Sequence, residues 1–578
     1  MKEKGLYHKI FLEIIPFRKW FIIALLLSIF VSILGPIRPF LLQYIIDHFI
    51  TTFNKEKLIS YSMLLFGLLI IESFLRYFFV FITAWFSQNI VHSIRTRVFQ
   101  KLIGIHVQLF DQTPIGTLTT RTINDVETIN EVYSENFFTI ISDFLTIIIV
   151  LSFMFYTDVK LTLISLVTLP LLYWATYIFK EKVKIVNQKI RDKISEFNAF
   201  TQEHLTGIKL IKSFTAEQLE LQKFKKINQE QTDLNIKAIW YYSWFFPVLE
   251  TLIAISVGLV VMGVGYFSLN ESGYTAGMIS SFYLFLNMLF RPMRFLADKF
   301  NQLQMGFVAC ERVFKIIETP NKENDLGQIE LSNPKGNIRF DQVTFGYLPE
   351  TEILKNISFE IKAGESLAIV GATGSGKTSI INVLNRFYPI QKGDITIDDI
   401  SIYDTKIASL RNHIGMVLQD VYLFSGSILD NIRLENKSFD IEKAMQMAKE
   451  LDIQDFFEQL PGGFDFQIQE RGNSLSHGQK QVISFLRAIV KNPSILILDE
   501  ATSSIDSNTE YYIQKLVQNT IKNKTSIVIA HRLSTIISSD KILVLDKGEI
   551  VGEGTHSELI QSNTYYKKYF KELESNTD

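Results

Sequence analysis

The sequence predicts a multidomain membrane protein, in which an all-α transmembrane domain of six helices precedes an α/β domain of the P-loop type. Two observations predict this fold class. Long apolar segments fill the first half of the 578-residue chain, and hydrophobic residues make up 47% of the whole sequence. The second half instead alternates strand and helix patterns, and one strand leads into a glycine-rich loop.

Six segments are predicted to cross a bilayer, because a membrane helix needs about 20 predominantly apolar residues. They are residues 20–44, 58–86, 137–156, 161–179, 240–267 and 277–290. Pro36 and Pro39 are expected to bend the first of these helices, and Pro247 the fifth. The basic N-terminus runs into the first segment without a small-residue cleavage site, so we expect this segment to be retained.

The connections between the six segments alternate between short and long. Positive charge is concentrated in the long connection 180–239, whereas the short connections hold only three lysines. The positive-inside rule therefore predicts a multi-pass protein of the cytoplasmic membrane, with the long loops, the N-terminus and the C-terminal domain in the cytosol. Helical periodicity persists through both long loops, and we expect a short cross-helix near the breaks at 113–116 and 206–207.

Net charge and cysteine content exclude some functions. The formal net charge is −2, which gives the chain no general affinity for nucleic acid. Cys310 is the only cysteine, so no disulfide within the chain and no cysteine-based metal site can form. We expect Cys310 to be a small packing residue in a helix.

A phosphate-binding loop is predicted where a buried strand at 366–370 ends. The loop reads Gly-Ala-Thr-Gly-Ser-Gly-Lys-Thr at 371–378, and a helical run follows from Ser379. Its glycines let backbone N–H groups surround phosphates, its lysine supplies a positive charge, and its threonine supplies a hydroxyl ligand for Mg²⁺. The predicted ATP-binding residues of this loop are Gly371, Gly374, Ser375, Gly376, Lys377, Thr378 and Ser379.

A second strand, at 495–498, ends in the acidic pair Asp499 and Glu500. We expect Asp499 to hold Mg²⁺ together with Thr378, and Glu500 to polarise the water that attacks ATP. Two acidic residues can also simply end a strand, but the sequence Ala-Thr-Ser-Ser-Ile-Asp that follows at 501–506 favours the catalytic interpretation. The predicted activity is hydrolysis of ATP, with Mg²⁺ as cofactor.

Three further motifs accompany these two in a fixed order along the chain. Gln419 lies between the phosphate loop and the segment Leu-Ser-His-Gly-Gln at 475–479, and His531 follows the acidic pair. With all five motifs in this order, the chain resembles ABC transporters. The domains that this resemblance implies are a transmembrane domain at 1–318, a linker at 319–336 and an ABC ATPase domain at 337–578.

The resemblance also implies roles for individual residues of the nucleotide site. Tyr347 would stack on the adenine ring. Gln419 would be a Mg²⁺ ligand that senses the attacking water and links the site to the membrane loops, and His531 would contact the γ-phosphate during catalysis. The residues implied to bind the ATP held by the other subunit of a dimer are Ser476, Gly478 and Gln479.

The segments 110–116 and 203–214 resemble the two intracellular loops of the exporter type within this family. In that type, one chain carries one membrane domain and one ATPase domain, and two chains form a dimer with two ATP molecules between them. The resemblance therefore implies a second half-transporter subunit as partner, together with membrane lipids and an amphipathic small-molecule substrate.

His477 stands where most members of the family have glycine. Glycine allows the closest approach of a backbone to a ligand, so the histidine is expected to weaken the composite site that uses this segment. Because Glu500 and His531 are intact, the chain resembles the catalytic-glutamate subunit of bacterial heterodimeric multidrug exporters. A homodimer that tolerates the histidine is the alternative.

Charged residues interrupt the apolar segments. Glu72 and Arg76 lie four residues apart in the second helix, where we expect them to pair on one face. Arg38, Asp143, Glu250 and Arg291 lie in or beside other segments. Structural ion pairs between helices and contacts with substrate both explain such charges.

The sequence therefore predicts ATP-driven export of amphipathic compounds, such as drugs, lipids or lipid-linked molecules, by a dimeric ABC exporter. Importers usually keep their membrane and ATPase parts on separate chains, so the fused order disfavours an importer. The six apolar segments disfavour a soluble ABC ATPase that acts on DNA or ribosomes. A membrane protein that ATP regulates without pumping is a further alternative, against which the intact Glu500 and His531 argue.

Overall fold

The computed structural model describes residues 2–269, 273–319, 325, 327–434, 436, 438–469, 472, 474–499, 507–521, 524–530 and 533–575. The chain divides into two compact units. The first contains Met1–Ile103 and Ile115–Thr319, and the second contains Gly104–Pro114 and Pro320–Asp578. A short segment between two helices of the first unit therefore belongs to the second.

The described residues of the first unit form helices and no strand. The helices up to this unit's end, of which α4 belongs to the second unit, are α1 Lys2–Ile14, α2 Arg18–Ile45, α3 Lys55–Ile103, α4 Gln108–Gln112, α5 Ile115–Thr120, α6 Val126–Tyr133, α7 Glu135–Thr157, α8 Val159–Leu166, α9 Leu169–Thr206, α10 Ile208–Ser213, α11 Glu217–Ser268 and α12 Ala276–Glu318. Side chains of Ser134, Asp158 and Thr275 cap α7, α8 and α12 by accepting backbone N–H groups, which explains where these helices begin.

Five helical stretches among the described residues are long and apolar enough to cross a membrane. They are Gly5–Ile50, Lys55–Ile103, Ile115–Thr157, Val159–Thr206 and Glu217–Ser268. Each contains one of the first five predicted spans. The sixth predicted span, 277–290, lies within helix α12 but is not among these five, so the number six stays a prediction.

Both long predicted loops are helical, and α3 and α11 continue for 49 and 52 residues, far beyond the about 20 that a bilayer needs. Short helices α4 and α10 lie next to the two predicted breaks, which confirms a short helix near each of them. Their orientation across the turn stays a prediction. One span differs from its prediction: 161–179 is divided between α8 and α9. Pro170 lies in the first turn of α9, where proline's missing N–H is tolerated, so the chain starts a new helix there.

Aromatic and aliphatic side chains form the core of the first unit. The rings of Phe86 and Phe138, both almost fully buried, lie edge-to-face with their centroids 6.1 Å apart. Cys310 is buried in the same cluster, which confirms its prediction as a packing residue.

The second unit contains all the described strands. The strands are β1 Ile338–Phe345, β2 Leu354–Ile361, β3 Ser366–Gly371, β4 Lys392–Ile397, β5 Ile400–Ser401, β6 Ile414–Val417, β7 Gly426–Ser427, β8 Gln467–Ile468, β9 Ile495–Asp499, β10 Thr525–Ile529, β11 Lys541–Asp546 and β12 Glu549–Gly554. The helices are α13 Lys377–Leu384, α14 Ile407–Asn412, α15 Ile428–Arg433, α16 Ile441–Glu450, α17 Gln454–Glu458, α18 His477–Ile489, α19 Ser507–Ile521, α20 Leu533–Ser538, α21 His556–Ser562 and α22 Thr564–Ser575.

A six-stranded sheet forms the centre of this unit, in the order β12-β11-β3-β10-β9-β6. Its strands are parallel except β12, which pairs antiparallel with β11. Residues of β3 alternate between two core clusters, with Leu367 and Ile369 in one and Ala368 and Val370 in the other. The sheet is thus buried on both faces, as a parallel sheet requires, and the predicted order of a helical transmembrane domain followed by an α/β domain is confirmed.

Candidate nucleotide site

The carboxyl ends of four parallel strands meet at one edge of the central sheet. Ile369 of β3 is in register with Ile529 of β10, and Ile529 is in register with Asp499, the last residue of β9. Strand β6 pairs with β9 on its other side, and Gln419 follows β6 by two residues. The loop after β3, Asp499 and Gln419 therefore lie at the edge where open α/β sheets bind their ligands.

All three glycines of the predicted phosphate loop have a positive φ, which is +154° at Gly371. Gly374 has a φ of +82° and Gly376 a φ of +107°, conformations that strain other residues. A Cβ atom on Gly376 would also lie 2.8 Å from Cδ2 of Leu354. Helix α13 begins at Lys377 rather than at the predicted Ser379, because Gly376 turns the chain directly into the helix.

Lys377 and Asp499 influence each other's charge at this edge. The side chain of Lys377 is buried, and its Nζ donates hydrogen bonds to the carbonyl oxygens of Gly371 at 2.7 Å and Ala372 at 3.1 Å. Burial lowers the pKa of Lys377, and the Asp499 carboxylate opposes that shift. Burial raises the pKa of Asp499, Lys377 lowers it, and Asp420 raises it further. Such opposed, partly buried charges are typical of functional sites.

Ser375 contributes an unsatisfied polar atom in the middle of the loop. Its side chain is 3% exposed, and its Oγ has no hydrogen-bond partner among the described residues. A buried polar group without a partner costs about 1–3 kcal/mol, and a phosphate oxygen would accept its hydrogen bond. Thr378, in the first turn of α13, is exposed, so a ligand can reach its hydroxyl group. The loop therefore fits a phosphate group.

Tyr347 belongs to an aromatic cluster beside the loop. Its ring lies edge-to-face against those of Phe345 and Tyr388, with both centroid distances 4.9 Å. Its hydroxyl group lies 3.3 Å from Oγ of Ser379 and accepts a hydrogen bond from Nδ2 of Asn382 at 3.0 Å. The ring is only partly buried, so part of its surface is accessible for stacking.

The segment 475–479 forms the start of helix α18. Ser476 Oγ accepts a hydrogen bond from the backbone N–H of Gln479 at 3.2 Å, and Gln479 Oε1 accepts one from the backbone N–H of Ser476 at 2.9 Å. These two bonds form a capping box. His477 is the exposed first residue of the helix, and Gly478 is buried behind it. All four residues thus lie at a helix N-terminus, whose dipole favours anions.

Two of the three predicted catalytic residues, Glu500 and His531, lie outside the described residues, as does the segment 501–506. The third, Gln419, is exposed. The described residues contain no group of three or more His, Cys, Asp or Glu side chains that can hold a metal ion. Mg²⁺ is usually bound by one or two carboxylates together with substrate phosphates, so Asp499 and Thr378 fit such a site.

Two family models match the chain. The model for the ABC transporter transmembrane region matches residues 21–293, and the model described as ABC transporter matches residues 354–503. The probable multidrug resistance ABC transporter ATP-binding/permease protein YheH of Bacillus subtilis is 35% identical over 510 residues, which cover 87% of this chain and 75% of that protein. The chain belongs to the ABC transporter family.

Two further relatives are similar over nearly the full length of this ABC transporter, and both have names that contain the words multidrug export ATP-binding/permease protein. YgaD of Bacillus subtilis is 33% identical over 96% of this chain and 97% of its own length. A Staphylococcus aureus protein is 34% identical over 92% of this chain and 93% of its own length. The chain is an exporter-type half-transporter, a multi-pass membrane protein whose cytosolic ATPase domain binds ATP and couples its hydrolysis to transport. A half-transporter requires a partner subunit, either a second copy or another chain.

One contact in the ATPase unit of this transporter was not predicted. The carboxylate of Asp111, in helix α4, accepts a hydrogen bond from the hydroxyl group of Tyr388. In the same helix, Nε2 of Gln108 lies 3.5 Å from the backbone oxygen of Tyr347. The motif at 110–116 pointed to this loop, but no pattern in the sequence identified its aromatic partner.

One ion pair of the transmembrane domain differs from its prediction. Nε of Arg38 in α2 lies 3.1 Å from Oε2 of Glu72 in α3, and Glu72 does not pair with Arg76. The prediction was wrong because helical spacing identifies neighbours on one helix only, whereas α2 packs against α3 and brings Arg38 closer. Asp143 pairs with Lys299 at 2.7 Å, which is a structural ion pair of the predicted kind.

Proposed function

We propose that this half-transporter exports amphipathic compounds, such as drugs, lipids or lipid-linked molecules, across the cytoplasmic membrane and that ATP hydrolysis drives the export. The observation that carries the proposal is the phosphate loop, where the unpartnered Ser375 hydroxyl lies beside Lys377, on a chain with five helical stretches that are apolar enough to cross a membrane. The three relatives named above carry multidrug resistance or multidrug export in their names, which supports a drug-like cargo.

ATP binding uses the loop and the residues around it. Tyr347 stacks on the adenine ring. Thr378, Gln419 and Asp499 would hold Mg²⁺, which would offset part of the negative charge of the phosphates. The residues that contact the phosphates are Gly371, Gly374, Ser375, Gly376, Lys377, Thr378 and Ser379.

Hydrolysis depends on three further residues of the ATPase domain. Strand β9 ends at Asp499, and Glu500, the next residue in the sequence, removes a proton from the attacking water as general base. Gln419 orients that water, and His531 contacts the γ-phosphate. The domains are a transmembrane domain at 1–318, a linker at 319–336 and the ATPase domain at 337–578.

The partner in our proposal is a different half-transporter chain, and membrane lipids surround the pair. Ser476, Gly478 and Gln479 contact the ATP that the partner binds. The exposed imidazole of His477 occupies the helix start where glycine would leave room for the phosphate, which supports a weakened second site and hence a heterodimer. A homodimer that carries the histidine in both sites is the alternative.

Two other functions remain as candidates for the test. An importer would move its cargo in the opposite direction, and the fusion of both domains on one chain argues against it. A membrane protein that ATP regulates without transport would bind ATP but would not need the acidic pair at the end of β9.

Transport by the purified chain in proteoliposomes, with and without its candidate partner, tests the proposal. We expect a fluorescent amphipathic dye to accumulate inside vesicles whose ATPase domains face outward when ATP is added, but not with a non-hydrolysable analogue. Lys377→Ala should abolish accumulation, since the loop loses its phosphate-facing charge. Lys362→Ala, an exposed lysine away from the loop, is the matched control. ATP hydrolysis without movement of any dye from a chemically varied panel would contradict export.

A further inference from the structure

A cavity of about 330 Å³ lies between helices α2, α3 and α12 of the transmembrane domain. Pockets for drug-sized ligands usually measure about 300–1,000 Å³. Most residues that line this cavity are apolar and come from all three helices; the polar ones are Arg38, Asn287 and Arg291. The cavity therefore combines an apolar wall with cationic and amide side chains.

The charges around this cavity do not cancel. Arg38 has its partner in Glu72, with 3.1 Å between Nε and Oε2, and the Glu72 side chain is 15% exposed. Arg291 forms no ion pair with any described side chain. Among the described side chains, the cavity thus has an excess of one positive charge.

Arg291, which carries this excess charge, lies at the end of a predicted membrane span. At a rise of about 1.5 Å per residue, Arg291 lies about 22 Å along α12 from Ala276. That is the far end of the predicted sixth span and within reach of a hydrocarbon core about 30 Å thick. Charged residues at such depth are costly, and they usually face a cavity or a partner of opposite charge.

We propose that this cavity binds the anionic group of an exported amphipathic compound, a carboxylate or a phosphate whose apolar body lies against the leucine-rich wall. The inference rests on the proposed export function and specifies its substrate class. A guanidinium group matches carboxylates and phosphates because it offers two parallel N–H donors. Arg291 supplies the uncompensated charge that the anion balances.

Glu72 and Asn287 complete the site. Glu72 orients Arg38 and offsets its charge, so the site attracts one negative group rather than two. Nδ2 of Asn287 donates to the backbone oxygen of Tyr283 at 2.8 Å, which fixes the amide next to Arg291 on α12. A cationic amphipath would meet the positive charge of Arg291 without an opposing anion, so the site disfavours it.

Equilibrium binding of two matched probes to the full-length transporter, assembled with its partner in phosphatidylcholine nanodiscs, tests this inference. Octyl phosphate and octyltrimethylammonium have the same chain and opposite charges. We expect octyl phosphate to bind at least about tenfold more tightly, and Arg291→Gln to remove that preference. Arg291→Lys should retain most of it, and Arg291→Glu should reverse it. Arg76→Gln, an exposed arginine that does not line the cavity, is the matched control and should keep the preference.

A second arm identifies the source of the anion. Phosphatidic acid added to the nanodiscs competes with octyl phosphate if the site takes a lipid headgroup, and does not compete if it takes a soluble amphipath. Equal affinities for the two probes, or an unchanged preference in Arg291→Gln and Arg291→Glu proteins that unfold at the wild-type temperature, would overturn the inference. In that case ATP-dependent dye transport by the wild type would persist, whereas its absence would instead contradict the proposed export function.

Discussion

Asp111 of helix α4 accepts a hydrogen bond from the hydroxyl group of Tyr388, although 277 positions separate the two residues in the sequence. The ring of Tyr388 packs edge-to-face against Tyr347, and Tyr347 is the residue assigned to the adenine ring. A single aromatic neighbour therefore lies between the proposed nucleotide contact and a loop that both begins and ends in the transmembrane domain. The segment that carries Asp111 is continuous in sequence with helices α3 and α5 of the transmembrane domain.

We expect Asp111→Ala to reduce transport more than it reduces ATP hydrolysis. A hydrogen bond to a charged group contributes about 1.5–3 kcal/mol, so its loss corresponds to about a tenfold or greater change in the coupled step. ATPase rates and dye transport in the same proteoliposomes measure the two activities. Tyr388→Phe should reproduce the effect, because it removes only the hydroxyl group.

Glu350→Gln is the control for this contact, since Glu350 is an exposed acid with no described partner in the same unit. It should leave the ratio of transport to hydrolysis unchanged. Parallel losses of transport and hydrolysis in Asp111→Ala and Tyr388→Phe would show that the contact stabilises the ATPase domain instead of coupling it.

Alanine substitutions at Gly374 and Gly376 distinguish the strain of a left-handed backbone from a steric clash of the added Cβ atom. Gly374→Ala meets only the strain of a left-handed backbone, about 1–2 kcal/mol, since no atom lies within 4 Å of its added Cβ. Gly376→Ala meets the same strain and, in addition, a 2.8 Å contact with Leu354. We expect the Gly376 variant to have the lower midpoint of thermal unfolding without nucleotide. An equal or higher midpoint for Gly376→Ala would contradict this account of the loop.

Local sequence patterns predicted the helices and the phosphate loop, because residues close together in the sequence determine these elements. Apolar length predicted helices α2, α3, α7 and α11, and helical periodicity predicted that α3 and α11 continue beyond the membrane. The strand, glycine loop and helix around Lys377 followed from residue types alone. Only the first residue of α13 was misplaced, because the left-handed turn at Gly376 lets the helix begin two residues earlier.

Contacts between distant segments were not predictable in the same way. Glu72 has Arg76 one turn away but pairs with Arg38, because the distance between two packed helices decides the pair. Tyr388 as the partner of Asp111 follows from the fold and not from any motif. The division of the fourth span had a local signal in Pro170, because proline is favoured in the first turn of a helix.

His477 provides a test of assembly. In a heterodimer, the ATP site that contains Glu500 is completed by the partner's own counterpart of the segment 475–479. His477→Gly should therefore leave the hydrolysis rate of that site unchanged within about twofold. In a homodimer, the substitution changes both sites, and turnover should change directly. The measurement is ATPase activity of the chain purified alone and with its candidate partner. Robust, transport-coupled hydrolysis by the chain alone as a dimer would contradict the heterodimer.

The most direct test of the account is the ATPase rate of the Glu500→Gln transporter, measured beside its ATP binding. We expect ATP binding to stay at the wild-type level while turnover falls by about 10²–10⁴, the usual effect of removing a general base. Dye transport should stop with it, because hydrolysis drives export. Near-normal hydrolysis or continued ATP-dependent transport by purified Glu500→Gln protein would contradict the assignment of Glu500 and the mechanism built on it.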